Sequence, residues 1–174
     1  MNNLKGIPIA IALCLASALV FSQTDSVHVV QQTDGMSGKT YTYSSRDFVC
    51  ANETRSQGFK VIPVIDNDIS CKWIAVKMVG IGSCNEGDEM IILFDSGEKI
   101  IKKSAHKFNC EGDAYFNLSD ADVRLLKTQS MSKIRLTNGR GYESYTGDVG
   151  SKNKRYFIQL FNALENKIIV KRTN

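Results

Sequence analysis

From about residue 27 onward, the chain is a succession of short apolar stretches separated by turn-forming residues. Residues 69–79 alternate between apolar and polar side chains, and residues 90–94 form a continuous apolar run. Alternation is typical of strands with one buried face, and a short apolar run bounded by turns is typical of strands buried on both faces. Pro63 limits 59–65 to an edge strand, and the polar segment 44–58 is predicted to be irregular. The predicted strands are 27–31, 39–43, 69–79, 90–94, 98–103, 114–118, 131–137 and 142–146.

Two helices are predicted late in the chain. Ser119 is followed three residues later by Asp122, which forms a capping box with Asp in place of Glu, and this helix should end near Gln129. The second helix is predicted from the helical spacing of Phe157, Leu160, Phe161, Leu164 and Ile168. For the tail of the chain, the alternative to a helix that reaches Ile168 is a cap at Asn166 followed by a strand over 167–172.

Many short strands with two late helices predict an α+β, β-rich fold. We expect a single domain of antiparallel hairpins over residues 23–174, either sandwich-like or a curved sheet. The chain of 174 residues is 43% apolar and 23% charged, which is the composition of a globular protein. A formal net charge of +4 gives no electrostatic footprint for nucleic acid, so we expect no nucleic-acid partner.

Residues 1–22 are predicted to be a cleaved secretory signal peptide. Lys5 precedes an apolar run over 7–21, and Val20 and Ser22 occupy the −3 and −1 positions of a cleavage site. The run has fifteen residues, whereas a membrane span needs about 20. An uncleaved anchor and a lipoprotein acylated at Cys14 are the alternatives. We therefore expect an exported protein that is periplasmic, on the outer surface or extracellular, with membrane contact only through an uncleaved signal segment.

Four cysteines follow the signal peptide, and an even number in an exported chain indicates disulfides. An apolar run, an Asp-Ser-Gly turn and a basic return strand predict a β-hairpin with its tip near Gly97. Cys84 and Cys110 are each thirteen residues from Gly97, so the hairpin favours a bridge between them and leaves Cys50 with Cys71. A structural zinc site is disfavoured because the spacing contains no C-x2-4-C pair.

The acidic turns and one histidine are the candidates for chemistry. Glu86, Asp88, Glu111 and Asp113 flank the predicted bridge, and carboxylates gathered at one end of a sheet are ligands that Ca²⁺ prefers. The same hairpin places His106 opposite Asp88, and a carboxylate beside an imidazole suits base chemistry. Solvated turns and a surface charge pair are the simpler interpretations, and we expect no cofactor.

Five segments resemble a group of exported bacterial proteins of uncharacterised function: DNDISCKW at 66–73, GDEMIILF at 87–94, KFNCEGDAYF at 107–116, KIRLTNGR at 133–140 and YFIQLF at 156–161. The resemblance spans residues 66–165 or so, which is about 100 residues. It implies export and a single domain. It implies no activity and no catalytic residue.

We expect a binding or interaction module of the bacterial cell envelope without enzymatic activity, whose partner is an envelope protein or a glycan. The sheet face or the loops would make the contact. The candidate aromatic contacts are Tyr41, Tyr43, Trp73, Tyr142 and Tyr145. The same side chains also serve as ordinary cross-strand pairs.

Two other functions stay open. One is a hydrolase that uses Asp88 and His106, or a metal bound at the acidic turns. The other is a structural envelope protein without a ligand. A concave pocket converging on His106 would favour the enzyme, whereas a flat sheet that exposes aromatic side chains would favour binding.

Overall fold

The computed structural model describes residues 26–66, 68–82, 84–105 and 109–173. The predicted signal peptide and His106 lie outside the described residues. Eleven strands and two helices form within them. In chain order these are β1 (Val29–Thr33), β2 (Thr40–Ser44), β3 (Phe48–Ala51), β4 (Gly58–Ile65), β5 (Cys71–Val79), β6 (Glu89–Phe94), β7 (Lys99–Lys103), β8 (Asp113–Asn117), α1 (Asp120–Thr128), β9 (Met131–Thr137), β10 (Ser144–Asp148), α2 (Tyr156–Glu165) and β11 (Ile169–Thr173).

The strands form three sheets. The β5 sheet has the order β3-β4-β5-β8, the β6 sheet has the order β10-β9-β6-β7, and the β1 sheet has the order β11-β1-β2. All strand pairs are antiparallel except β1 with β11, which is parallel. The predicted β-rich fold with two late helices is confirmed.

Buried side chains from all three sheets and both helices form one apolar cluster. The aromatic side chains of α2 contribute strongly to it, because Tyr156 and Phe157 pack against Phe48 with ring centroids 5.1 and 6.3 Å away. Burial of one large apolar side chain stabilises a fold by roughly 1.5–3 kcal/mol. The helix is therefore held by its apolar face, since Arg155 at its N-terminus makes no side-chain cap.

Helix α1 begins as predicted, but the tail takes the alternative form. Ser119 and Asp122 form the capping box, and the Asp122 carboxylate accepts the Ser119 N–H at 2.7 Å. Helix α2 ends at Glu165, so Ile168 lies outside it, contrary to the helical spacing. Lys167 adopts a left-handed conformation with φ 50°, which turns the chain into β11 beside β1.

Strands β3 and β4 differ from the prediction. Residues 48–51 of the segment predicted to be irregular form β3, and β4 lies between β3 and β5. Strand β3 pairs only with residues 58–61 of β4. Strand β3 therefore does not extend as far as Pro63. Because no strand of the described residues pairs with β4 on that side at Pro63, the missing N–H of proline removes no hydrogen bond between β3 and β4.

A β-bulge corrects the predicted alternation of β5. Val64 faces Trp73 and Ile65 faces Cys71, so Lys72 is the extra residue. The bulge turns Cys71 into the core, whereas the sequence pattern placed it on the same face as Trp73.

The hairpin of β6 and β7 has a three-residue turn, Asp95 to Gly97, in which Gly97 has φ 89°. Gly97 is thus the last residue of the turn and not its tip. The backbone N–H of Ser104 donates to the Asp88 carbonyl at 2.8 Å. The residue that meets Asp88 is therefore two positions from the predicted one, and His106 itself lies outside the described residues.

Cys84 and Cys110 form a disulfide beyond the end of this hairpin. Asn85 pairs with Asn109 in an isolated bridge beside it. Four residues separate Ser104 from Asn109, whereas two separate Asn85 from Asp88. The segment after β7 is thus two residues longer than the segment before β6. This difference offsets the two-residue shift in pairing that the turn produces, so Cys84 still meets Cys110.

The predicted second bridge is absent, because Cys50 and Cys71 are free and buried. Their partners on β4 are Phe59 and Ile65, six residues apart, which corresponds to about 20 Å along a strand. A disulfide needs Cα atoms within about 7 Å. Each thiol instead lies near a backbone carbonyl, that of Asp148 for Cys50 and that of Trp73 for Cys71.

Burial raises the pKa of Cys50 to about 11 and that of Cys71 to about 12. We therefore expect neither thiol to react with Ellman's reagent at pH 8 in the native protein. The unfolded mature chain should show two reactive thiols without reductant and four after reduction. Four reactive thiols in the unfolded chain without reductant would contradict the disulfide. No reactive thiol under the same conditions would indicate a second disulfide.

The same buried groups predict alkaline destabilisation. Cys50 and Cys71 have an ordinary pKa of 9.0, and both values are raised in the folded state. Their contribution to stability is therefore complete below about pH 9 and is lost as the pH rises through the folded values of about 11 and 12. Urea unfolding at pH 8 and pH 10.5 should show this loss. The C50A/C71A variant should lose less between the two pH values, and an equal loss would contradict the assignment.

Candidate functional site

The candidate site is the solvent-facing side of the β5 sheet, which we call the outer face. On β5, Ile74 and Val76 point into the core, so Trp73, Ala75 and Lys77 lie on the opposite side. The cross-strand register extends this face over all four strands. Its residues are Val49, Ala51, Gly58, Lys60, Ile62, Val64, Trp73, Ala75, Lys77, Val79, Asp113, Tyr115 and Asn117.

The register orders these residues in rows across the strands. Lys60 and Lys77 face each other and form one row, which has other rows of the outer face on both sides. On one side of them, Gly58 faces Val79, and on the other side Ala75 lies between Ile62 and Tyr115. The last row places Trp73 between Val64 and Asn117.

Large apolar side chains are exposed on the outer face. Val49 is 50%, Val79 53% and Ile62 38% exposed, while Trp73 and Tyr115 are half-buried. An antiparallel sheet with one face in water normally carries polar residues on that face. The lysine row separates Val79 from Ile62, Trp73 and Tyr115, so the exposed apolar surface has two parts with cationic groups between them. Exposed apolar surface bordered by polar groups is typical of an interaction site.

A groove of about 580 Å³ lies at the Val79 end of the outer face. Val49 and Ala51 line one side and Val79 the other, and Gly58 lies between them. A Cβ atom at Gly58 would lie 2.5 Å from the Cys50 carbonyl oxygen and 2.7 Å from the Ala51 Cβ. Glycine is therefore required at this position for β3 and β4 to approach.

The border of the groove is cationic. Arg55, Lys60 and Lys77 line it, and no acidic residue is among its described lining residues. Lys60 Nζ lies 2.8 Å from an Asp47 carboxylate oxygen. Arg55 and Lys77 form no ion pair with another described residue, so the groove carries two cations without an ionic partner. Asp113 faces Lys77 from β8 in the strand register but does not line the groove.

The five aromatic residues predicted as contacts do not converge. Only Trp73 lies on the outer face. Tyr41 is 54% exposed on β2, and Tyr43 on the same strand donates to Gln32 Oε1 at 2.8 Å. Tyr142 is 83% exposed in the turn before β10, and Tyr145 packs on Phe59 with ring centroids 6.0 Å apart.

Several outer-face residues were not among the predicted contacts, namely Val49, Lys60, Ile62, Lys77, Val79 and Tyr115. A signal for some of them was present. Apolar residues occupy both alternating sets of positions in β4 and β5, which indicates a strand whose outward side is apolar too.

Asp88 is buried, with 1% of its surface exposed, and both of its oxygens are engaged. The side-chain amide of Asn85 donates to one at 3.1 Å, and the backbone N–H of Gly139 donates to the other at 2.9 Å. The carboxylate is therefore a structural acceptor that cannot reach a substrate in this structure.

The four proposed calcium ligands are not gathered together. Glu86 is exposed and lies 4.0 Å from the Arg140 guanidinium, while Asp88 is buried. Asp113 begins β8 opposite Lys77, and Glu111 is in the preceding turn. Within the part of the chain that the structure describes, no three His, Cys, Asp or Glu side chains form a metal-binding group.

A buried polar cluster surrounds Asp88. The side-chain amide of Asn138 donates to the carbonyls of Ile81 and Cys84 at 3.1 and 2.7 Å. Its side-chain oxygen accepts hydrogen bonds from the backbone N–H groups of Arg140 and Gly141. A Cβ at Gly139 would lie 2.1 Å from the Glu86 carbonyl oxygen, so this turn requires glycine. The cluster joins the segment before β6 to the turn between β9 and β10.

Comparison of the chain with protein-family models, with curated proteins and with solved structures finds no match.

The disulfide is typical of a protein from a non-reducing location. Neither α1 nor α2, the helices of the described residues, is long and apolar enough to cross a membrane.

We expect Asp88→Ala to lower the free energy of unfolding by about 2–4 kcal/mol, because it leaves the Gly139 N–H without an acceptor and the buried Asn85 amide with only the weakly accepting Met78 sulfur. Urea denaturation measures the change. Glu86→Ala removes a nearby exposed carboxylate and should change stability by less than about 0.5 kcal/mol. Equal stability of the two variants would contradict the structural role of Asp88.

Proposed function

We propose that this protein is an exported, non-enzymatic binding module of the bacterial cell envelope, and that its outer face holds a glycan or a segment of an envelope protein. The exposure of Val49, Ile62 and Val79 on the same sheet face as Trp73 and Tyr115 carries this proposal. Leaving these side chains in water forgoes a burial gain of about 25 cal/mol per Å² of apolar surface. A ligand that covers the face would recover part of it.

The dimensions of the outer face favour a narrow ligand. Trp73 and Val79 are six residues apart on β5, which is about 20 Å, and four strands span about 14 Å. The area is thus on the order of 280 Å² by the same spacings, whereas a stable complex of two folded proteins buries about 800 Å² on each partner. A glycan chain or an extended peptide matches the face better than a broad globular surface does.

The two alternative functions gain no support from a specific observation. One form of the hydrolase would need the Asp88 carboxylate, which is buried and accepts two hydrogen bonds. The other form would need a metal at the acidic turns, whose described carboxylates are not gathered together. A structural protein without a ligand leaves the apolar outer face unexplained.

The test uses the single tryptophan of the chain, which lies on the outer face. Protein labelled with 5-fluorotryptophan gives one ¹⁹F resonance from Trp73, even in a crude extract. We expect unlabelled cell-envelope extract of a bacterial source to shift or broaden this resonance. Fractionation of the extract, with glycosidase or protease digestion, then identifies the class of ligand.

Variants decide whether the effect arises at the outer face. Ile62→Ser removes an exposed apolar side chain beside Ala75 and should weaken the response about five- to thirtyfold, given about 1–2 kcal/mol for its burial. Tyr41→Ser removes an exposed side chain from β2 and should leave the response unchanged. An unresponsive resonance, or equal loss in both variants, would refute the proposal.

A further inference from the structure

We propose that the groove around Gly58 is a binding site for an anionic amphiphile: a single aliphatic chain that ends in a carboxylate. This inference goes beyond the proposed function, because an aliphatic carboxylate is neither a glycan nor a protein segment, and it adds a small ligand at the Val79 end of the outer face. It is carried by the juxtaposition of apolar walls with two cationic side chains that have no ionic partner among the described residues.

The shape of the groove suits an unbranched chain. Its walls stand on β3 and β5, which are two strand spacings apart, or about 9.6 Å. Gly58 on the intervening strand contributes no side chain, so the floor is backbone. Val49 and Val79 would cover the two sides of an inserted alkyl chain, and their present exposure of 50% and 53% would fall.

The charges of the groove select an anion. Arg55 lies in the turn between β3 and β4, and Lys77 lies on β5. Neither has an ionic partner among the described residues, and no lining residue is acidic. Lys60 adds a third cation, although Asp47 compensates it at 2.8 Å. A carboxylate at this border would therefore meet cationic lining groups, while a cationic head group would be repelled.

The shape of the groove favours the binding of a free, monomeric amphiphile over contact with the surface of a bilayer. The apolar walls rise on both sides of Gly58, and one chain can enter between them. A bilayer presents its head groups first and would touch only the cationic border. Ligand pockets of this size class are lined mainly by apolar groups with a few polar groups that orient the ligand.

The test is titration of the mature, disulfide-bonded protein with decanoate below its micelle concentration, followed by ¹H–¹⁵N NMR. We expect saturable shifts of the amides of Val49, Gly58 and Val79. Decyltrimethylammonium, with an equal chain and a positive head, should bind at least about tenfold more weakly. Vesicles of phosphatidylcholine and phosphatidylglycerol should not compete with decanoate for the groove.

The R55E/K77E variant reverses both of these charges and should weaken decanoate binding at least about tenfold. Lys39→Glu, in the loop before β2, is the matched control and should bind decanoate as the unmodified protein does. Equal binding of the cationic amphiphile, shifts located elsewhere, or vesicle binding without decanoate binding would overturn the inference. If decanoate fails while envelope extract still moves the Trp73 fluorine resonance, only this inference falls. If both fail, the proposed function falls with it.

Discussion

The ladder between β4 and β5 determines which side chains of the β5 sheet meet the core and which meet the solvent. It runs from the Gly58–Val79 pair to the Ile65–Cys71 pair. A shift of one residue would exchange the two faces. Ile74 and Val76 would then lose their burial in the core. The cost of exposing them fixes the register, and the register in turn places Trp73 and Lys77 on the outer face.

A second constraint holds the connection between β5 and β6. The disulfide joins Cys84 to Cys110, and Asn138 accepts and donates hydrogen bonds that tie the same segment to the turn after β9. Asp88 completes the attachment through Gly139. At this end of the molecule Asn85, Asp88 and Asn138 are thus buried and hydrogen-bonded. The outer face lies on the opposite side of the β5 sheet from the core.

Local patterns predicted much of the fold. The capping box at Ser119 and the strand at Met131–Thr137 could be identified because each depends on neighbouring residues only. The bulge at Lys72 and the left-handed Lys167 could not, because both follow from pairing with distant strands. The free state of Cys50 and Cys71 has the same origin, since it depends on where each thiol lies along β4.

The candidate site was less accessible from the sequence. Trp73 could be singled out as the one tryptophan, but its neighbours Ile62 and Tyr115 come from other strands. Their meeting is a matter of register, which a single sequence does not contain. Carboxylates are common metal ligands and catalytic groups, so the acidic turns were predicted as candidate sites. The structure instead places Asp88 as a buried acceptor of hydrogen bonds from Asn85 and Gly139.

If the outer face of the β5 sheet is the binding surface, a bound ligand must shield it from solvent. Covalent footprinting with a photogenerated carbene, in the presence and absence of cell-envelope extract, measures this shielding. We expect protection of Ile62, Trp73, Tyr115 and Val79 and unchanged labelling of Tyr142 and of Ile101, which is exposed on β7. Protection of Ile101 or Tyr142 with the outer face still labelled would show that the protein binds elsewhere.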